Sequence, residues 1–460
     1  MANSFERRRQ AARAAGAVRR QILVLCVVFG ALSCTSHGSS TAELIETVRA
    51  ALEGGSSVPI ELVPNGYYVL DAANNTESQG PCSGANGMPL IVEPIVIHGN
   101  GATIERNPAS LDEFRIFSVS STGSLILKDL TVQGGLLSAG DGAGICNQGT
   151  LTLQRSTVSH NSAAGGAGIF NSQGQLSLAE TTLAWNHALF QAGALGNIGG
   201  ELNVVNSTIS ENSAGFSTGG MWLDGSGTIL HSTITKNRTD GSFGGLYLGP
   251  GSEVVTSSIV AGNIASRWPD CGGGWRDSGG HNLVGDPKCP LRGGFDDMFG
   301  LDPVMGPLAD NGGSTWTHAL LPSSPAIDAA GLCGMATDQI GTPRIGPCDI
   351  GSYEYPADVD GDGIIDAMDA CWYSDMSFTV VVGDCDSLAP NQLLRHGPHT
   401  GCTVADLVAK ALASGRDDAV ETLLEHLSEQ LGLLSDGQAE AIEDCTEPDG
   451  DYRIEEDWRR

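Results

Sequence analysis

A period of 25 or 26 residues runs through residues 144–265 and restricts the fold more than anything else in the chain. Five blocks end alike, at Asn161, Asn186, Asn212, Asn237 and Asn263. The first reads Ser156-Thr157-Val158-Ser159-His160-Asn161 and the third Ser207-Thr208-Ile209-Ser210-Glu211-Asn212. A repeat of this size marks a solenoid or an array, because one unit buries its apolar face only against the next.

The apolar columns select the kind of solenoid. Val158, Leu183, Ile209, Ile234 and Ile259 form one, and Leu153, Leu178, Val204, Ile229 and Val254 a second. Ile145, Ile169, Leu195, Met221 and Leu246 form a third. Between them the pattern alternates with period two, as in Leu151-Thr152-Leu153, which is strand periodicity. No ten-residue run in this stretch has helical spacing. Three short strands per coil, separated by Gly, Asn and Ser turns, predict an all-β chain folded as a right-handed parallel β-helix of roughly seven or more coils of about 25 residues. The Asn column is expected to serve structure, since Asn tolerates a left-handed turn and stacked amides hydrogen-bond from coil to coil. Asn147, Asn171 and Asn197 form a second, shorter column with the same expectation.

Charge and cysteine bound the function. The formal net charge is −30 over 460 residues, which argues against nucleic acid and anionic membrane as partners. Residues 1–33 read as a signal peptide: Arg7, Arg8, Arg9, Arg13, Arg19 and Arg20 precede an apolar run from Ile22 to Leu32 that is too short to span a bilayer. Ala31-Leu32-Ser33-Cys34 resembles a bacterial lipobox, with Cys34 as the lipidated residue; ordinary cleavage near Ser33 is the alternative. These features predict export, to the cell surface or beyond it, with membrane attachment only through a lipid on Cys34. Ten cysteines lie beyond Cys34, an even number that reads as disulfides in an exported chain. Short-range pairings suggest themselves: Cys271–Cys289, Cys333–Cys348, Cys371–Cys385 and Cys402–Cys445.

Before the repeats, Thr41 to Leu52 reads as an amphipathic helix with Leu44, Ile45, Val48 and Leu52 on one face, ended by Gly54-Gly55. It is expected to plug the open end of the solenoid. Ile60 to Leu70 reads as strand, turn, strand, and 71–88 as a polar loop containing Cys82. Residues 271–355 lose the period and are expected to wrap the last coil as a cap.

Several motifs carry a family resemblance. They are Gly99-Asn100-Gly101-Ala102-Thr103-Ile104, Ser257-Ser258-Ile259-Val260-Ala261-Gly262-Asn263 and Gly280-His281-Asn282-Leu283-Val284-Gly285-Asp286. Gly306-Pro307-Leu308-Ala309-Asp310-Asn311-Gly312-Gly313, Thr317 to Asp328 and Cys348-Asp349-Ile350-Gly351-Ser352-Tyr353-Glu354 complete the set. On them, residues 41–355 resemble the choice-of-anchor Q domain, a right-handed β-helix of bacterial surface and secreted proteins to which no enzymatic activity is assigned. Ile340 stands where that pattern leads one to expect Arg.

Residues 356–390 form a linker around the sharpest chemical motif. Asp358, Asp360, Asp362, Asp366 and Asp369 offer hard oxygens at positions 1, 3, 5, 9 and 12 of a loop, Gly363 allows the sharp turn, and Ile364 offers a backbone carbonyl. Together these predict a Ca2+ site. The run resembles a thrombospondin type 3 repeat and, more distantly, a dockerin loop. Residues 391–445 switch to helical period and predict a small helical module, followed by an acidic tail at 446–460.

Two functional classes then compete. Phe170, Trp222 and Tyr247 alternate with inward residues and form an outward aromatic row, suited either to stacking on sugar rings or to being shielded by a loop. They point to a non-enzymatic surface or secreted protein, an adhesin or scaffold whose partner is a glycan or another surface protein. The alternative is a calcium-dependent polysaccharide lyase or glycoside hydrolase, an activity that needs clustered carboxylates and a base. Charges in 144–265 are sparse, and of them only Glu211 and Lys236 read as sharing a column, which an ion pair explains. Asp310, His318 and Asp328 form the other tempting set, with turn hydrogen bonding as their plainer role.

Overall fold

The computed structural model describes residues 37–38, 40–55, 58–331, 333–344 and 347–356. The signal segment with Cys34, the loop 358–369, the helical module, the acidic tail and the pairings of Cys371, Cys385, Cys402 and Cys445 lie outside the described residues. What is described is nearly all β, with one helix and a solenoid of about seven parallel turns.

The columns stack as ladders. Leu153 pairs with Leu178, Leu178 with Val204 and Val204 with Ile229, all parallel. Ile145, Ile169, Leu195, Met221 and Leu246 pair in the same way, and Cys271 continues the column. These side chains are fully buried in one continuous core.

The coil at Ser252–Thr256 departs from the expected register. Ile229 pairs with Val255 rather than Val254, and Ile234 with Val260 rather than Ile259. A one-residue slip sends every side chain to the other face. Val255 and Val260 therefore join the interior, while Ile259 packs outward into a separate cluster. The slip also turns Glu253 inward above Gly227, where it is 1% exposed. Its Oε1 accepts the Gly225 N–H at 2.8 Å, and burial pushes its pKa up.

Four of the coils carry a further strand. Ser162–Gly165, His187–Gln191, Ser213–Ala214 and Arg238–Thr239 form a separate four-stranded parallel sheet just after the Asn column. Small Ala side chains (Ala163, Ala188, Ala214) line its inner side in a core of their own.

The asparagines make a buried ladder. Asn161 Nδ2 donates to Asn186 Oδ1 at 3.0 Å, and Asn186 to Asn212, Asn212 to Asn237 and Asn237 to Asn263 each at 2.9 Å. Each Oδ1 also accepts the backbone N–H of the asparagine one coil earlier, as Asn212 does from Asn186 at 3.0 Å. The ladder closes on a carboxylate: Asp270 Oδ1 accepts both the N–H and the Nδ2 of Asn263. A second ladder runs through the hydroxyls of Ser207, Ser232 and Ser258 to Asn282, and it too closes on an acid, Asp297. The shorter column works likewise, with Asn147 to Asn171 and Asn171 to Asn197 both at 2.7 Å.

One expected role moves to a neighbour. None of the five asparagines is left-handed; the residue before each one is. His160, Trp185, Glu211 and Lys236 have φ of 55°, 54°, 57° and 57°, and Gly262 has 71°. The preceding residue makes the turn, which leaves the asparagine extended with its amide aimed inward.

The N-terminal end is plugged by helix α1, Thr41–Gly54. Ser40 caps it by accepting the Glu43 N–H, and Gly55 ends it in the left-handed region at φ 60°. Leu44 and Val48 are fully buried on the first coil, each contributing roughly 1.5–3 kcal/mol. The polar loop beyond Leu70 is tied down by the fully buried Arg115. Its guanidinium donates to the carbonyls of Cys82, Ser83, Asp141 and Gly142 and to Asn86. A Cys82–Cys146 disulfide joins the same loop to the strand Ile145–Asn147.

The segment expected to cap the last coil does something else. Residues 271–299 add one further rung and a partial one, stapled by Cys271–Cys289. Residues 303–356 then turn back and lie as a strap along the outer side of the sheet built from Thr157–Ser159, Thr182–Ala184, Thr208–Ser210, Thr233–Thr235 and Ile259–Val260. Hydrogen bonds tie the strap to that sheet from the coil of Asp129 to that of Ser257. Ser314 meets Asp129, Thr182 donates to the Trp316 carbonyl at 2.7 Å, and Ser210 meets His318 at 2.8 Å. Thr208 donates to Gln339 at 2.6 Å, and the Gly351 N–H donates to the Ser257 carbonyl at 2.9 Å. The strap carries its own disulfide, Cys333–Cys348.

Candidate functional site

The side chains with functional chemistry fall into two places: beneath the strap, and at the corner where the four-stranded sheet turns into the next coil.

Beneath the strap lies a buried charged cluster. Arg344, 7% exposed, donates to Glu354 at 2.6 Å, to Asn206 at 3.2 Å and to the carbonyls of Asp349 and Gly351. Burial pushes Glu354 up to about 7 and Asp349 up to about 6. Asp338 is raised for the same reason although it accepts three backbone N–H groups. His231 lies against the cluster, and burial, then the Arg344 charge, lowers it to about 4. The set Asp310, His318 and Asp328 resolves into separate structural roles. Asp310 accepts the Gly312 N–H in a turn. His318 is buried between Ser210 and the Gly306 carbonyl. Asp328 is left-handed at φ 56°, with its N–H donated to Asp349.

The ion pair expected for Glu211 and Lys236 is not among those of the described residues. The charged ladder forms one column away, where Arg155 donates to Asp129 at 2.7 and 2.9 Å and lies 3.7 Å from Glu180. The hydrogen bond to Asp129 raises the Arg155 pKa.

The corner is the open place. Phe170, Gly196, Trp222, Tyr247 and Gly272 follow one another in register. Trp222 and Tyr247 touch, with ring centroids 4.0 Å apart. Phe170 stands apart from them: its ring lies over Gly196, with an edge atom 3.2 Å from where a Cβ there would stand. The outward row is thus divided, and two aromatics absent from the sequence reading extend it sideways. Phe243 packs on Tyr247 at 4.9 Å and stacks on Trp268 at 5.1 Å with the rings 7° from parallel. The exposed Arg267 guanidinium lies 4.4 Å over Trp268.

The backbone explains how these rings reach the surface together. Gly142, Gly166, Ala192, Thr218, Phe243 and Trp268 form a column of left-handed residues at the corner. The early coils fill it with Gly, for which such φ values carry no steric penalty. The late coils place Phe243 at φ 69° and Trp268 at φ 51°, an uncommon conformation for bulky residues. Gly272 makes room, since a Cβ there would meet the Phe243 ring at 2.6 Å. Beside the rings runs a groove of about 550 Å3 lined by Phe216, Ser217, Asp240, Gly241, Ser242 and Phe243. Phe216 is 75% exposed. An alignment of the repeat on the residue four before Trp222, Tyr247 and Gly272 brings out Thr218, Phe243 and Trp268 as a column, and that spacing is the signal for the missed pair.

The predicted metal ligands Asp358, Asp360, Asp362, Ile364, Asp366 and Asp369 and the lipidation residue Cys34 lie outside the described residues. Among the described residues no group of three or more His, Cys, Asp or Glu side chains is placed to hold a metal ion. No helix of the described residues is long and apolar enough to cross a membrane. Comparison of the chain with family models, curated proteins and solved structures gave no match.

Proposed function

We propose that this chain is a non-enzymatic, exported scaffold or adhesin that meets glycans through the aromatic corner of a right-handed β-solenoid. The observation that carries the reading is the unbroken ring contact from Trp222 through Tyr247 and Phe243 to Trp268. Rings that serve only the core are covered, whereas these are partly exposed and lie beside an open groove. Flat aromatic faces with a few hydroxyls and a carboxylate beside them suit the C–H faces and hydroxyls of sugars. The buried carboxylates with raised pKa are engaged elsewhere, by ladder ends and strap turns. Export rests on the basic and apolar segment at 1–33, with three disulfides in keeping with an oxidising compartment.

A glycan array probed with the wild type and Trp222→Ala tests the reading. Binding by the wild type that the variant loses while its melting temperature holds is the supporting result; equal binding by both contradicts it.

The linker completes the proposal as a calcium site of Asp358, Asp360, Asp362, Asp366 and Asp369 with the Ile364 carbonyl, ahead of the helical module. Five carboxylates so close in sequence repel one another unless a divalent cation lies among them. Calorimetry should show calcium binding that Asp362→Ala weakens, and a wild type that binds none refutes it.

A further inference from the structure

We infer that the aromatic corner takes a neutral, linear glycan laid along the solenoid axis, with the groove beside Phe216 as its adjoining subsite. The inference rests on the reading of the corner as a glycan contact and adds direction, chemical class and a further subsite.

Direction follows from the ladder. Trp222, Tyr247 and Trp268 stand on three successive coils, and Phe243 shares the coil of Tyr247. Successive coils rise by about 4.8 Å. That rise is close to the advance per sugar of an extended hexose chain. A glycan running along the axis therefore meets a ring at each step, whereas one lying across it leaves the platform after one or two rings.

The class follows from charge. The chain carries a net charge of −30, and Asp240, 82% exposed, lines the groove. A polyanion entering here meets a repulsive field. The two nearby cations are engaged: Arg238 lies 3.6 Å from Asp240, and Arg267 lies over the Trp268 face. A neutral sugar avoids the repulsion and uses the same groups, with Asp240 and the hydroxyls of Ser217 and Ser242 accepting from its hydroxyls.

The subsite follows from Phe216. It is the most exposed ring on this side, and it shares with Phe243 the two walls of the groove. The corner holds bulky rings in left-handed backbone where earlier coils hold glycine. That turn places Phe243 in the wall of the groove, with Trp268 stacked on it.

Titration of the purified full chain with neutral gluco-oligosaccharides, from disaccharide to hexasaccharide, and separately with polygalacturonate, tests the inference. The expected result is affinity for the neutral series that rises with length. Phe216→Ala should weaken the longest member roughly three- to tenfold, one stacking contact, and leave the disaccharide unchanged. Phe216 is exposed enough that its loss leaves the melting temperature in place. Trp268→Ala should weaken the whole series. Tighter binding of polygalacturonate, or neutral binding indifferent to length and to Phe216, overturns the inference while the glycan reading stands. No binding of either class by a protein with an unaltered melting curve overturns both.

Discussion

Two faces of the same solenoid have opposite fates. The face bearing Thr182, Thr208 and Thr233 is covered by the strap, and each hydroxyl there is hydrogen-bonded to it. The corner bearing Trp222, Tyr247, Phe243 and Trp268 is left open. The covered face buries charges, among them Arg344, Glu354 and Asp349, whose removal from water must be offset by partners. Among the described residues no strap lies above the corner, whose rings pack on one another. We therefore propose a structural role for the covered charges and a ligand contact for the open rings. On this contrast, substitutions under the strap should change stability and leave binding alone, and substitutions at the corner should do the reverse.

Arg344→Met should give the largest effect. It strands Glu354 and the Asn206 amide oxygen beneath the strap, and breaking a buried pair of this kind costs about 3–5 kcal/mol. Denaturant unfolding should register the loss, with an early strap transition ahead of the coils. Glycan affinity should not change.

Asn212→Ala tests the framework that both faces share. The side chain makes three donated and two accepted hydrogen bonds, all buried. Leaving the Asn186 N–H and one Nδ2 hydrogen unpaired should cost about 3 kcal/mol, while Asn237 Oδ1 keeps the Asn212 backbone N–H. Unfolding by denaturant checks this, and the contrast between the faces is blunted if the loss stays below about 1 kcal/mol.

pH should move the covered face and not the ladders between asparagines. Glu354 and Asp349 have folded pKa values of about 7 and about 6, above their unfolded values. The folded state then binds protons more readily, so their contribution is present at low pH and is lost as pH rises through those values. His231 works in the other direction: its folded value of about 4 lies below the unfolded one, so its contribution is present at neutral pH and is lost on acidification through that range. Strap stability should accordingly rise on going from pH 8 towards 7, above the range in which the unfolded-state histidine, half charged at about pH 6.5, offsets it. Glu354→Gln should flatten that rise in thermal melts; an unchanged slope assigns the titration to other groups.

Trp268→Gly should have the smallest effect on stability. It loses a stacked ring but relieves a strained left-handed residue, terms of similar size and opposite sign, so the net change should stay within about 1 kcal/mol.

What the sequence made legible follows from how each contact repeats. The interior columns and the Asn ladder recur at every coil, so one alignment exposes them. The slip at Val255 and Val260 arises in the turn Gly249–Gly251, whose extra residue changes no residue type and leaves apolar neighbours at Val254 and Ile259 to mislead the pattern. The strap joins residues far apart, such as Asn206 to Thr337 and Thr208 to Ser352, in pairs that occur once. No periodicity reveals such pairs. Trp222 and Tyr247 were readable because they alternate with buried residues. Phe243 and Trp268 were not, because their column is filled by Gly, Ala and Thr in earlier coils.

The most direct test sets Arg344→Met beside Trp268→Gly, each measured for unfolding free energy and for hexasaccharide affinity. A double dissociation is expected: a large loss of stability with intact affinity in the first, and lost affinity with intact stability in the second. If Trp268→Gly binds as the wild type does, or loses stability as Arg344→Met does, the open corner is another structural face and the central claim is wrong.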